Sequence, residues 1–157
     1  MSQNLGIKQD DIKKISEKLS KVLANEYFLY LKTLNVHWNV TGSNFFGFHK
    51  LLDEQYNWLK DVIDEVAERI RTLGVLAPAN YKKYSQDSII NEGDNKDDFE
   101  GMLEDLCHGH EKMISLLREA IEEMDGTRDF GSEDMLIKLL SEHEKNLWML
   151  NAHFERK

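Results

Sequence analysis

Apolar residues recur along this chain at intervals of three and four positions, in four long segments. Such spacing places the apolar side chains on one face of an α-helix. The predicted helices run from about Asp10 to Trp38, from Asn44 to Leu73, from Lys96 to Met124, and from Asp129–Ser132 to the end of the chain. In the second segment the apolar positions alternate between steps of four and three, which is the pattern of left-handed helix packing.

The links between these segments indicate how the helices are connected. Two links are short and rich in turn-forming residues, so the first and second helices, and the third and fourth, are expected to be antiparallel neighbours. The segment from Gly74 to Asn95, about 22 residues, is too long for a direct link and suits a crossover, with a short helix around residues 79–90. We therefore predict an all-α, ferritin-like four-helix bundle that forms one domain over residues 1–157.

The composition limits the number of domains, the cellular compartment and the partners to be expected. With 157 residues, 41% of them hydrophobic, it is long enough for one domain with a core. Its single cysteine, Cys107, excludes an internal disulfide and favours a reducing compartment. No stretch approaches a membrane span or a signal peptide, so we expect a cytoplasmic protein, with nucleoid association left open. The net charge of −9 repels DNA phosphates and attracts cations, although solubility alone is the simpler explanation.

The second helix carries two pairs of ligand-type residues at helical spacing, His49 with Asp53 and Asp64 with Glu68. Roughly 16 Å separates the pairs at ~1.5 Å per residue, so no single metal centre spans both. On a helical wheel Asp53, Asp64 and Glu68 point away from the apolar seam, and His49 lies at its margin. The alternative is an ordinary solvated acidic face.

Positions 49 and 68 are centred between Trp58 and Leu59, and so are positions 53 and 64. A two-fold axis at that point would place His49 of one subunit opposite Glu68 of the other, and Asp53 opposite Asp64. Each end of the helix pair would then hold a complete ligand set. Trp58, predicted to lie on the outward side, would be covered by the same interface.

His37, at the end of the first helix and one short loop before His49, is a fifth candidate, although the helix dipole also favours a histidine there. Two imidazoles and three carboxylates without a thiolate suit iron or Mn(II) better than structural zinc. None of the six histidines follows a glutamate by three positions, so the usual in-bundle di-iron motif is absent.

Two other groups of ligand-type residues are ambiguous. In the cluster Cys107, His108, His110 and Glu111 the histidines lie about 200° apart on a helix, which favours surface residues over a metal site. Asp129 and Asp134 would line a pore if the protein forms a shell. They are equally well explained as acids at a helix N-terminus.

The five candidate ligands and Trp38 lie in the run VHWNVTGSNFFGFHKLLDEQYNWLKDVIDEVAERIRTLG, which resembles the signature of the Dps family, the mini-ferritins that protect DNA in starved cells. The resemblance implies a hollow dodecameric shell with a ferroxidase centre at each two-fold interface. It implies that Fe(II) is oxidised there, preferably by hydrogen peroxide, and that ferric mineral is stored inside.

The resemblance also assigns roles. His37, His49 and Asp53 would come from one subunit, and Asp64 and Glu68 from its partner, with Glu68 as the bridging carboxylate. Acidic residues early in the last helix line three-fold pores in the family, which makes Asp129 and Asp134 candidates here. Lys138 stands where another acid would be expected.

DNA binding is expected to be weak or absent. Tightly binding family members often have a long lysine-rich N-terminal tail, whereas Lys8 is the only clear cation before the first helix. The primary expectation is therefore a ferroxidase and iron store. The alternative is a non-enzymatic, DNA-compacting or structural shell whose metal merely bridges the dimer interface.

Overall fold

The computed structural model describes residues 4–91 and 98–154, and every regular element within them is an α-helix. The predicted all-α bundle with a short helix in its crossover is confirmed. In chain order the helices are α1 (Gln9–Asn39), α2 (Phe45–Thr72), α3 (Tyr81–Asp87), α4 (Phe99–Glu122) and α5 (Phe130–Asn151).

The helix ends differ from the predicted ones by a few residues. The predicted start of the third long helix, Lys96, lies outside the described residues. The described part of that helix, α4, begins at Phe99, where the Asp98 side chain accepts a hydrogen bond of 2.6 Å from the Gly101 amide. The prediction that the last helix continues to the end of the chain is wrong, because α5 ends at Asn151 and a turn follows it.

The end of α2 is set by a glycine. Gly74 has a φ of +87°, a conformation that a residue with a Cβ rarely adopts. This conformation lets the Gly74 amide bond to the Arg71 carbonyl and the Val75 amide to the Ile70 carbonyl. The paired bonds form a Schellman motif, which satisfies carbonyls that the helix end would otherwise leave free and turns the chain towards α3.

The core lies between the four long helices. α1 packs against α2 and α4, α4 packs against α5, and α3 lies on α1. Each large side chain buried here contributes roughly 1.5–3 kcal/mol. No helix in the described ranges is long and apolar enough to cross a membrane. The largest fully buried side chains are Ile15, Leu19, Leu23, Leu29, Leu52, Leu59, Ile70, Leu103, Leu106, Met113, Leu117 and Leu136.

Candidate metal centre

His37 and His49 face each other across the short link between α1 and α2. Their rings stack with centroids 3.9 Å apart and planes 18° apart. His37 Nδ1 lies 2.9 Å from the His49 carbonyl oxygen, and His49 Nδ1 lies 3.1 Å from the His37 carbonyl oxygen. A carbonyl oxygen only accepts, so each Nδ1 carries the proton and donates. Nε2 is therefore the ring nitrogen of each imidazole that is left to bind a metal.

Asp53 lies one turn beyond His49 and is held by a tyrosine. The Tyr56 hydroxyl donates a 2.6 Å hydrogen bond to Asp53 Oδ1, and the Tyr56 ring packs edge-on against His37 with centroids 5.1 Å apart. The bond to Asp53 raises the pKa of the Tyr56 phenol. This bond also orients the carboxylate on the helix face that His49 occupies.

Asp64 and Glu68 form the other half-site and are both exposed on α2. Glu68 lines a shallow surface depression together with Asp134 and Lys138. Among residues 4–91 and 98–154, no three histidine, cysteine, aspartate or glutamate side chains come close enough to hold a metal ion. The structure thus joins His37 to His49 directly and links Asp53 to His37 through Tyr56, but it does not join these residues to Asp64 and Glu68.

The fold and its sequence are similar to those of known proteins. A family model of the ferritin-like domain matches residues 16–157. The chain is 35% identical over 140 residues to DNA protection during starvation protein 2 of Bacillus anthracis, covering 89% of this chain and 96% of the relative. It is 34% identical to DNA protection during starvation protein of Helicobacter pylori J99, covering 89% and 98%. The chain belongs to the Dps family of ferritin-like proteins.

Solved Dps structures agree with this assignment. The DPS protein from Vibrio cholerae O1, described as a member of a broad superfamily of ferritin-like diiron-carboxylate proteins, superposes with a TM-score of 0.90 at 31% identity. The match covers 99% of this chain and 98% of that one. Mycobacterium smegmatis Dps superposes with a TM-score of 0.92 at 31% identity, covering 99% and 90%. The predicted family and its ferritin-like fold are therefore confirmed.

The two aspartates proposed for a pore have different surroundings in this Dps chain. Asp129 is buried at the N-terminus of α5, where it accepts hydrogen bonds from the Ser132 amide and hydroxyl, at 3.1 and 2.6 Å, and pairs with Arg69. Of the two explanations left open for Asp129, the structure shows the helix cap. Asp134 is exposed. A pore between subunits stays a prediction.

The interpretation of the Cys107 cluster as surface residues is wrong for two of its four members. His108 and Glu111 are exposed, but Cys107 and His110 are buried. Burial and the nearby Glu111 and Glu104 raise the pKa of the Cys107 thiol to about 11, so this thiol is inert. His110 occupies the apolar stripe of α4, three positions before Met113, and that register was the signal for burial.

His110 belongs to a buried polar series that the sequence analysis missed. His110 Nδ1 lies 3.1 Å from His143 Nδ1, and His143 Nε2 lies 2.9 Å from Glu26 Oε1. All three side chains are fully buried, and they come from α4, α5 and α1 respectively. His143 and Glu26 also occupy apolar-stripe positions, which is the only sign of their burial in the sequence.

Trp58 differs from its predicted position. It is partly buried rather than exposed on the outward side, and its ring packs edge-on against His143 with centroids 4.9 Å apart. Trp58 therefore covers the buried polar series from α2. The remainder of its surface is available to an interface.

Proposed function

We propose that this Dps-family protein is a ferroxidase and iron store, which oxidises Fe(II) with hydrogen peroxide and keeps the ferric product inside a dodecameric shell. The observation that carries the proposal is the reciprocal bonding of His37 and His49. Each Nδ1 is held by the other residue's carbonyl, so both imidazoles are fixed in place before any metal arrives. Tyr56 links this pair to Asp53, because its ring contacts His37 and its hydroxyl bonds to Asp53.

The donor set fits iron. Imidazole nitrogen and carboxylate oxygen together suit Fe(II) and Fe(III), and carboxylates bridge two cations. In the proposed dimer, His37, His49 and Asp53 of one subunit meet Asp64 and Glu68 of the partner subunit, with Glu68 bridging. The exposure of Asp64 and Glu68 in the single chain leaves both carboxylates free for this role.

The residues supply position and charge, and the substrates supply the electrons. Two Fe(II) ions give one electron each to hydrogen peroxide, whose O–O bond breaks, and two protons complete two water molecules. The carboxylates balance the charge that the irons gain on oxidation. Tyr56 holds Asp53 in place through its hydrogen bond, and the two backbone carbonyls hold the imidazoles.

The single domain of residues 1–157 would assemble through two-fold dimers. Large apolar side chains on the surface of the single chain favour association, among them Leu31, Trp38, Phe46 and Trp148. Iron detoxification of this kind belongs in the cytoplasm, next to the nucleoid that it protects from peroxide.

Stopped-flow spectroscopy tests the activity. The protein is loaded anaerobically with Fe(II), hydrogen peroxide is added, and ferric absorbance and peroxide consumption are followed. We expect two Fe(II) oxidised per peroxide, and loss of most of the rate in His49→Ala. His108→Ala, which removes an exposed histidine far from the half-sites in the chain, serves as the control. A wild-type protein that consumes no peroxide would leave only the structural shell.

DNA compaction is disfavoured by charge. Each subunit carries a net charge of −9, and duplex binding needs several lysines or arginines to reach phosphates together. We expect weak or no duplex binding at physiological salt and neutral pH. A gel-shift titration measures this, and submicromolar affinity under those conditions would contradict it.

A further inference from the structure

All five tyrosines of the chain form one connected series of rings. The series begins at the metal half-site, where the Tyr56 ring contacts His37 with centroids 5.1 Å apart. It continues through Tyr30, at 6.4 Å from Tyr56, and Tyr27, at 6.4 Å from Tyr30. Each separation falls within the range of direct aromatic contact.

On α3 the series divides into two branches with different surroundings. Tyr27 contacts Tyr81 with centroids 6.2 Å apart and Tyr84 with centroids 5.2 Å apart. Tyr81 is 78% exposed, whereas Tyr84 is buried and donates its hydroxyl to the Pro78 carbonyl at 2.7 Å. A carbonyl cannot take up a phenol proton, so loss of an electron from Tyr84 is disfavoured. Tyr81 is therefore the branch that reaches solvent.

Packing alone does not explain this series. Of the five tyrosines only Tyr84 is buried, Tyr27, Tyr30 and Tyr56 are partly buried and Tyr81 is exposed, so most of the series lies outside the core. A phenol adds the ability to lose one electron together with its proton. Tyr56 has a proton acceptor in place, because its hydroxyl already donates to Asp53 Oδ1.

We propose that the five tyrosines include a relay, Tyr56–Tyr30–Tyr27–Tyr81, that carries single oxidising equivalents from the metal half-site to the surface of the subunit. The proposal rests on the proposed peroxide-dependent oxidation of Fe(II) at this site. The relay acts when hydrogen peroxide reaches a site that holds one Fe(II) instead of two. Reduction of the peroxide to water then lacks one electron, and without the relay the product is a hydroxyl radical.

The missing electron comes from Tyr56. One Fe(II), one hydrogen peroxide, the Tyr56 phenol, the Asp53 carboxylate and two protons from solvent yield Fe(III), two water molecules, a Tyr56 phenoxyl radical and a protonated Asp53. The phenol proton moves along the existing hydrogen bond to Asp53, which returns it when Tyr56 is reduced again. Tyr30, Tyr27 and Tyr81 are oxidised in turn, each releasing its proton to solvent while the preceding tyrosine is restored.

At the surface the radical is removed by a soluble one-electron donor such as a thiol or ascorbate. The donor's hydrogen atom restores the Tyr81 hydroxyl, and the donor itself becomes the radical. Tyr27, Tyr81 and Tyr84 line a surface groove that gives a small donor access to this end of the series. Among the ring contacts of the described residues, Trp58 joins His143 and no tryptophan ring contacts a tyrosine, so the series of contacts contains no tryptophan.

Radical trapping tests the relay. The assembled protein is loaded with fewer than one Fe(II) per site, mixed with peroxide in the presence of a nitroso spin trap and formate to remove diffusible hydroxyl radical, and mapped by peptide mass spectrometry. In the wild type we expect the adduct on Tyr81 and a tyrosyl signal in freeze-quench electron paramagnetic resonance. In Tyr30→Phe we expect loss of most of the Tyr81 adduct, with adduct remaining on Tyr56.

Tyr84→Phe is the matched control, because it removes a neighbouring phenol from the buried branch, which does not reach solvent, and should leave the Tyr81 adduct unchanged. With two Fe(II) per site, Tyr30→Phe should oxidise iron at the wild-type rate. A wild type that oxidises no iron overturns the proposed function itself. Normal iron oxidation with equal Tyr81 adduct in wild type and Tyr30→Phe, or with a tryptophanyl signal alone, overturns the relay only.

Discussion

Two regions of this subunit combine histidine with carboxylate, and they treat the imidazole in opposite ways. At the end of α1 and the start of α2, His37 and His49 give their Nδ1 protons to backbone carbonyls and keep Nε2 free. In the bundle core, both ring nitrogens of His143 are engaged, one by Glu26 and the other by His110. The first arrangement leaves one ring nitrogen of each histidine available to a metal, and the second leaves neither ring nitrogen of His143 available.

The difference shows that residue type alone does not make a metal site. Ferritin-like di-iron proteins place their ligands in the bundle core, yet here the core residues lie in a line and bond to one another. The ends of that line, Glu26 Oε2 and His110 Nε2, have no hydrogen-bond partner among the described residues. The core series is thus a structural connection among α1, α4 and α5, and we assign the chemistry to the outer face of α2.

The largest expected effect comes from breaking the outer half-sites separately. His49→Ala and Glu68→Ala should each abolish most iron oxidation, because few ligands hold each ion. Co-assembly of the two variants should restore about a quarter of the sites, since half of randomly formed dimers are mixed and each mixed dimer regains one intact site of its two. The ferric absorbance of the mixed shells after Fe(II) and peroxide measures this recovery.

Sites built within one subunit cannot recover in this way, because every subunit carries a lesion. Native mass spectrometry confirms that the two variants have mixed. Mixed shells as inactive as the shells of each single variant would contradict the two-fold site. They would leave His37, His49 and Asp53 as a group without a partner.

Breaking the core series should reduce stability instead of activity. His143→Ala leaves the buried Glu26 side chain without its hydrogen-bond partner, at a cost of roughly 1–3 kcal/mol in unfolding free energy. Urea denaturation measures the loss, and iron oxidation per folded subunit should be retained. The matched control is the adjacent Glu144→Ala, which removes a mostly exposed ion pair with Arg118 and should cost less than about 1 kcal/mol. Lost activity with unchanged stability would place chemistry in the core.

The core should also make stability depend on pH. Burial and the neighbouring His143 lower the pKa of His110 well below its ordinary value, so the folded chain keeps it neutral. The unfolded chain takes up this proton below about pH 6.5. Below that pH the unfolded state therefore binds more protons, and stability falls as the pH falls, by up to about 1.4 kcal/mol per pH unit.

Urea midpoints between pH 7 and pH 5 measure this slope. His110→Leu removes the buried group and should flatten the slope by about one proton. His108→Ala, an exposed neighbour on the same helix, should keep the wild-type slope. Equal slopes for wild type and His110→Leu would contradict the assignment of this pH dependence to His110.

The sequence was sufficient for features set by local helical geometry. Steps of three and four located four long helices, and the spacing within α2 put Asp64 and Glu68 on an exposed face, because the helical period fixes direction. The crossover helix followed from the length of the link. Helix ends were less accurate because side-chain caps such as Asp98 and Asn80 decide them.

Features that depend on contacts between distant segments were not predictable. Glu26 and His143 are 117 positions apart, and nothing local shows that they meet. The bonding between His37 and His49 depends on where two backbone carbonyls point across a link, which residue types do not reveal. Polar residues on an apolar stripe were nonetheless a usable signal, and it would have identified His110 as buried.

The smallest expected effect separates the two aspartates of α5, which repeat the same contrast. Asp129 is engaged by Arg69 and by Ser132, so Asp129→Ala should lower unfolding free energy by about 1–2 kcal/mol through loss of the helix cap.

Asp134 is exposed, and Asp134→Ala should change stability by less than about 0.5 kcal/mol. If Asp134 lines an iron entry, the variant should instead need more Fe(II) to reach half-maximal oxidation. Thermal melts and stopped-flow titrations of both variants measure these outcomes, and Glu133→Ala in the first turn of α5 controls for general loss of negative charge. Unaltered Fe(II) dependence in Asp134→Ala would remove the remaining pore candidate, because the Asp129 carboxylate is already bonded to Ser132 and Arg69 within the subunit.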